Sequence, residues 1–494
     1  MNQKIKKTDL LNILEPHLAN FIDQEDYEIK GLSPVSLLTP NRFDIAFKLF
    51  YLRYFQVNYK IAHNLYAQHL NVSTGGTFTE FGNKKKSSLK FFESDFLSIM
   101  ESMTHGFDKD KSILPVCEHN TLLNGAHRIA AAIFLDKLVY SVNINNIEPI
   151  VQDFNFFKRN GVEVKYMDLA ALEYCRYAKN IFLAVIWPAA QPNIENFAKK
   201  IPNVVYSKDI FFSPTGAINL TALLYNREKW LGDASENYPG ASMKVGQCFP
   251  NFQGTAKFVL FQSDIREVNK IKDSIRAIAN LEKSSIHITD TDDETRLIAE
   301  SIFNDNSIHF LNNSNQKWLD ETITGINSIK EKIKDLDVTP SDMVVDGGAV
   351  LQNYGIRRAN DFDVICMPDK KPLLEKVTNI DIRSFDSIYH GIDTSDLIYD
   401  SSYYFNLIGF KFVSFNQLYL MKKKRSDQKD ISDISLMKPY IETKLIFNKF
   451  NTKSVILILL NKYKVKIVKF LNSLGIYVYL RPFYKWLVKL FKKQ

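Results

Sequence analysis

The chain has 494 residues, 45% of them hydrophobic and 24% charged, an ordinary balance for a folded protein of several domains. Four cysteines, Cys117, Cys175, Cys248 and Cys366, stand far apart with no CxxC pair, which argues against a zinc ribbon or disulfide scaffold and fits a reducing compartment. The net charge of +8 belongs to the end of the chain: residues 451–494 hold ten of the 63 Lys and Arg and no Asp or Glu, leaving 53 basic against 55 acidic residues. A basic folded face for nucleic acid is therefore not expected.

The N-terminus, MNQKIKKTDLLNILEPHL, has no long apolar stretch after its lysines, so no secretory leader is expected. Residues 42–70 carry apolar side chains on a helical period, and FFESDFLSIMESMTHGF predicts a second helix. Between them, STGGTFTEFGNKKKSS is a loop rich in glycine and lysine. LPVCEHNTLLNGAHRIAAAIFLDKL then predicts strand, turn, short strand, turn and helix, with SVNINNI as a further strand.

Within that run, Asn124-Gly125 makes a turn and Ala126-His127-Arg128 opens an alanine-rich helix. A basic pair beside the N–H groups of a helix start favours an anion, and Arg can hold a phosphate through two parallel hydrogen bonds. The segment 110–145 resembles the ParB/sulfiredoxin-like fold, whose mark is Gly-x-His-Arg after a short strand. The resemblance implies that Gly125, His127 and Arg128 bind the phosphates of a nucleotide. An upstream acid is usual there, and Glu80 and Glu118 are the candidates.

From 150 to 335, short apolar runs such as IFLAVIWP and AKFVLFQ alternate with helical patterns such as DIREVNKIKDSIRAIANLEK, which points to an α/β layer. SSIHITDTDDETRLIAESIF crowds His287, Asp290, Asp292, Asp293 and Glu294 together. Thr291-x-x-Glu294 is also a capping box ahead of an apolar helix, and that reading takes precedence over a metal site.

The strongest constellation is VVDGGAVLQNYGIRRANDFDVICM, residues 344–367. Two glycines, Gly347 and Gly348, open a helix. A later strand carries Asp361 and Asp363, and strand alternation puts both carboxylates on one face with Phe362 on the other. Carboxylates that close repel each other unless a cation lies between them, and Mg²⁺ accepts such oxygens while leaving room for substrate phosphates. Residues 336–440 resemble the nucleotidyltransferase superfamily, with its glycine turn, helix and Asp-x-Asp strand. The resemblance implies that Asp361 and Asp363 ligate Mg²⁺ and that Gly347 and Gly348 hold a triphosphate; Arg357, Lys429 and Asp430 are further candidates for nucleotide contact. A third carboxylate is usual on a later strand. Asp396 and Asp400 are the expected catalytic candidates for it, with Asp393 behind them.

The last segment alternates apolar blocks with lysines and aromatics. Its longest apolar run, VILILL, is far short of the roughly 20 residues needed to span a bilayer. It is expected to lie as amphipathic helix on an anionic membrane surface.

The expected fold is thus α/β (α+β) and multidomain. Residues 1–150 form a helical and ParB/sulfiredoxin-like unit, 151–335 an α/β unit, 336–445 a nucleotidyltransferase-like unit, and 446–494 the basic tail. The expected function is a cytoplasmic Mg²⁺-dependent nucleotidyl- or phosphotransferase, peripheral to the inner face of the membrane and serving surface-polysaccharide assembly. Its substrates would be a nucleoside triphosphate and a small-molecule or glycan acceptor. Two rivals stand beside it: a toxin–antitoxin or phage-defence nucleotidyltransferase acting on tRNA or protein, and a non-catalytic ParB-like module binding nucleotide or DNA.

Overall fold

Short apolar runs bounded by polar turns become strands here, and the longer periodic stretches between them become helices, so the chain is mixed α/β throughout. A computed structural model describes residues 3–79, 87–236, 238–377, 381–382 and 386–442. Among the described residues the strands form four small sheets, of two, four, five and four strands.

In the N-terminal part, the strands Leu114–Cys117, Thr121–Leu122 and Val139–Asn143 and the helix Ala126–Phe134 fall where the sequence pattern puts them. Lys30–Leu32 joins them as an edge strand antiparallel to Val139–Asn143. The single helix expected over 42–70 is two helices, Asp44–Tyr54 and Tyr59–Ser73. The break has a local cause: Asn58 leaves helical geometry and its side chain accepts the N–H of Ile61, capping the second helix.

The middle sheet runs in the order Ile286–Ile288, Ile181–Ile186, Gly254–Gln262, Val204–Phe212, and every neighbouring pair in it is antiparallel. Ile181–Ile186 is buried at every position, so it lacks the polar alternation of a half-exposed strand. Around His287 the capping reading holds. Thr291 accepts the N–H of Glu294, and the Glu294 carboxylate accepts that of Asp290. Asp292 accepts the N–H groups of Asn180 and Ile181, while Asp290 and Asp293 pair with Lys272 and Arg296. The largest apolar core extends from Leu37 to Leu311 and joins the residues on either side of position 150.

A second core belongs to the C-terminal unit. Its sheet has the order Asp381–Ile382, Asp363–Cys366, Met343–Asp346, Phe410–Val413, Tyr404–Leu407. Met343–Asp346 is buried along its whole length and runs antiparallel to Asp363–Cys366. The helices Phe415–Arg425 and Gln428–Glu442 close the unit. No described helix is long and apolar enough to cross a membrane. The tail expected at 446–494 lies outside the described residues.

Candidate metal and phosphate site

At one end of the five-stranded sheet the backbone gathers carboxylates. Asp346 ends its strand directly opposite Asp363, and Asp381 is the Cα partner of Asp363 on the other side. Asp361 lies two residues before the strand begins, and Phe362 turns the other way, against Gly325 and the core. Asp361, Asp363 and Asp381 each offer an oxygen, and these oxygens lie within 4.8 Å of one another.

The two glycines differ in how much room they leave for a side chain. Gly347 has φ +66°, and a Cβ there would run into the Asp363 carboxylate. Gly348 opens the short helix Gly348–Asn353, and a Cβ on it would lie 3.3 Å from Arg357. Both glycines line a cavity of about 420 Å³ together with Arg357, Asn360, Asp361, Asp363, Lys422, Arg425 and Lys429.

The basic wall of this cavity is fixed by two acids, Asp430 and Asp433, and Asp433 itself also lines the cavity. Arg357 donates to both Asp433 oxygens, at 2.6 and 2.9 Å, which raises its pKa; Asp361 and Asp363 favour its charge further. Lys422, almost fully buried, pairs with Asp430 at 2.9 Å and Asp433 at 2.8 Å. Arg425 grips Asp430 through two nitrogens. Burial would push the Asp430 carboxyl up, but Arg425 and Lys422 overrule it and hold it at about 2. Lys429 is exposed at the rim.

Beneath the glycine turn lies a buried pair. His390 Nε2 meets Asp346 Oδ2 at 2.9 Å, and Gln417 donates to the His390 carbonyl. Burial opposes ionisation of Asp346, yet His390 and the N–H of Gly347 hold its carboxyl below the usual range.

The two carboxylates expected to complete the site lie elsewhere. Asp396 is buried on the helix Thr394–Tyr399, where it accepts from Asn58 Nδ2 at 2.9 Å and Lys60 Nζ at 2.7 Å. Asp400 pairs with Lys165 at 2.6 Å. Asp396 fastens the C-terminal unit to the N-terminal helix Tyr59–Ser73 and Asp400 fastens it to Lys165 of the middle part, and neither joins the carboxylate group. Asp381 stands in the third place. The sequence around it carries no motif; its place follows from the pairing of the two-residue strand Asp381–Ile382 with Asp363–Cys366.

The N-terminal motif borders a separate cavity. Gly125 has φ +96° and its N–H bonds to the Asn124 side chain. His127 Nε2 meets the Tyr66 hydroxyl at 2.8 Å, and Arg128 donates to Ser112. All three motif residues line this cavity, of about 650 Å³. Glu118 is exposed, and Glu80 lies outside the described residues. Comparison of the chain with family models, curated proteins and solved structures finds no match.

Proposed function

We propose that the C-terminal unit carries out Mg²⁺-dependent transfer of a nucleotidyl or phosphoryl group from a nucleoside triphosphate to a small-molecule or glycan acceptor. The observation that carries this reading is the Asp361–Asp363–Asp381 group, of which Asp361 and Asp363 share one cavity with Arg357, Lys422, Arg425 and Lys429. Three hard, closely set carboxylate oxygens suit Mg²⁺ by ligand type and charge. When bound, such an ion orients phosphate oxygens and neutralises charge that develops on them.

The chain's own residues do the remaining work. Gly347 leaves the Asp363 carboxylate room against the backbone, so the acid is held by the turn itself. Asp433 and Asp430 keep the guanidinium groups of Arg357 and Arg425 in fixed positions, which lowers the cost of orienting them toward a phosphate. Lys429 at the rim adds an exposed positive charge. Surface-glycan assembly at the inner membrane face is the setting we propose, and its support is the basic, aromatic composition of residues 451–494.

The test is nucleoside triphosphate turnover by the full chain with Mg²⁺, beside the Asp361→Asn/Asp363→Asn variant. Turnover that needs the ion and falls at least about 100-fold in the double variant supports the reading, since a missing electrostatic group typically costs that much. Equal turnover in the two proteins removes it.

A further inference from the structure

Three helices, Pro214–Leu224, Asp305–Asn313 and Leu319–Ile333, and the hairpin turn after Tyr404–Leu407 border a further cavity, of about 250 Å³. Its body is apolar: Leu223, Phe310, Leu311, Ile323, Leu407 and Ile408 line it. None of its residues belongs to the carboxylate site or to the Gly-x-His-Arg motif.

Two polar side chains in this wall are left over. Ser301 is 7% exposed and Gln316 6%, and both line the cavity. No hydrogen bond among the described residues involves the Ser301 hydroxyl or the Gln316 amide. Their polar neighbours are satisfied from within the fold. Ser307 Oγ accepts the N–H of Asn406, and Asn219 donates to the carbonyls of Leu311 and Ser314. Buried polar groups are nearly always satisfied, so two that are not, on the wall of one apolar cavity, mark the place of a guest's polar end.

The backbone points the same way. Gln316, Tyr238 and Ile408 all line the cavity with left-handed φ, of +50°, +48° and +52°. Ile408 and Gly409 are the two central residues of a tight hairpin turn, where Asn, Asp or Gly usually comes first. A β-branched residue in that conformation is a genuine outlier, and strain of this kind gathers at ligand sites.

The charge on the wall has one sign. Asp233 and Asp320 line the cavity, both are exposed, and neither forms a salt bridge among the described residues. No described Lys, Arg or His lines it. Burial first, then Asp320 and Asp233, push the Tyr238 hydroxyl up, so the field of both acids converges on one phenol of the wall.

We propose that this cavity binds a small primary amine with an apolar body, its ring or chain among Phe310, Ile323 and Ile408 and its ammonium donating to the Gln316 amide oxygen and the Ser301 hydroxyl in the field of Asp233 and Asp320. An ammonium has three donors and no acceptor, which matches oxygens without a donor of their own to satisfy them. An apolar cavity of roughly 150 Å³ takes up benzene, so this one has room for such a ring with a short polar arm. The inference is independent of the transferase reading, and its test reads binding, not turnover.

The full chain is titrated by calorimetry with three probes that share one body: phenethylamine, phenethyl alcohol and 3-phenylpropionate. Saturable binding is expected for the amine, about fivefold or more tighter than for the alcohol, with the carboxylate weakest; fivefold is the upper worth of one exposed ion pair. Asp320→Lys, a change at an exposed position, should erase the amine's advantage. Ile323→Trp, which fills the cavity, should abolish binding of all three probes. If that variant fails to fold, Gln316→Leu takes its place and should weaken the amine about tenfold, the usual worth of a hydrogen bond to a charged group. A cation resting on Asp361 and Asp363 instead would survive both changes, and that outcome overturns the proposal. So does the absence of saturable amine binding, or equal affinity for the amine and the alcohol.

Discussion

Asp363 and Asp381 are Cα partners on neighbouring parallel strands, and that pairing brings the third carboxylate to a site whose first two lie in one short sequence run. The acid nearest in sequence pattern and the acid nearest in space are different residues. Asp381→Asn should therefore lower Mg²⁺ or Mn²⁺ affinity by at least about tenfold, the lower bound seen even for groups that only support a ligand. Isothermal titration of the full chain measures it, and unchanged affinity would place Asp381 outside the ion's shell.

Gly347 and Gly348 should respond unequally to alanine. At Gly347 the new methyl would occupy the space of the Asp363 carboxylate, on a backbone with φ +66°. Strain of this kind costs about 1–3 kcal/mol, and the carboxylate must shift to relieve it. Gly347→Ala should thus lose metal affinity along with stability. At Gly348 the nearest groups are Arg357 at 3.3 Å and Ala359 at 3.5 Å, so a shift of a few tenths of an ångström suffices. Metal titration and urea unfolding of the two variants check the contrast.

Asp396→Ala should behave in the opposite sense to Asp381→Asn. It removes the acceptor of Asn58 and Lys60 and leaves the carboxylate group intact. Lys60 is largely exposed and contributes little, whereas the buried Asn58 amide loses its partner. A loss of about 1–3 kcal/mol in chemical denaturation, with metal affinity unchanged, is the expected outcome.

Acid should loosen the two closing helices of the C-terminal unit. The Asp430 carboxyl is held at about 2 against an ordinary 3.8, so the folded state binds fewer protons than the unfolded state between those values. Its contribution is complete above about pH 4 and is lost as pH falls through about 2. Asp433, lowered by Arg357 and Lys422 against the effect of burial, adds in the same direction. Urea midpoints measured from neutral pH downward should fall across this window, and Asp430→Asn should flatten the slope while lowering the plateau.

Much of the C-terminal site was legible because it is local. Gly347, Gly348, Asp361 and Asp363 sit within one turn-and-strand run, and the alternation that puts Phe362 in the core puts both acids outside it. What escaped was non-local. Asp381 joins through strand pairing across a segment without a strong pattern of its own. The Asp346–His390 pair and the Arg357–Asp433 bridge depend on elements 44 and 76 residues apart meeting in space. Asp396 and Asp400 misled because a buried acid in sequence is the same letter whether it faces an ion or a lysine.

The helix Tyr59–Ser73 has different duties at its two ends. At the start, Asn58 and Lys60 clasp Asp396 of the C-terminal unit; at the finish, His69 and Ser73 wall the N-terminal cavity. Fifteen residues of α-helix make a strut of roughly 22 Å. A strut does not bend easily, so the wall of the N-terminal cavity and the anchor of the unit holding the acidic sheet edge are kept at a fixed separation. Built this way, the two halves of the chain share one rigid mechanical member.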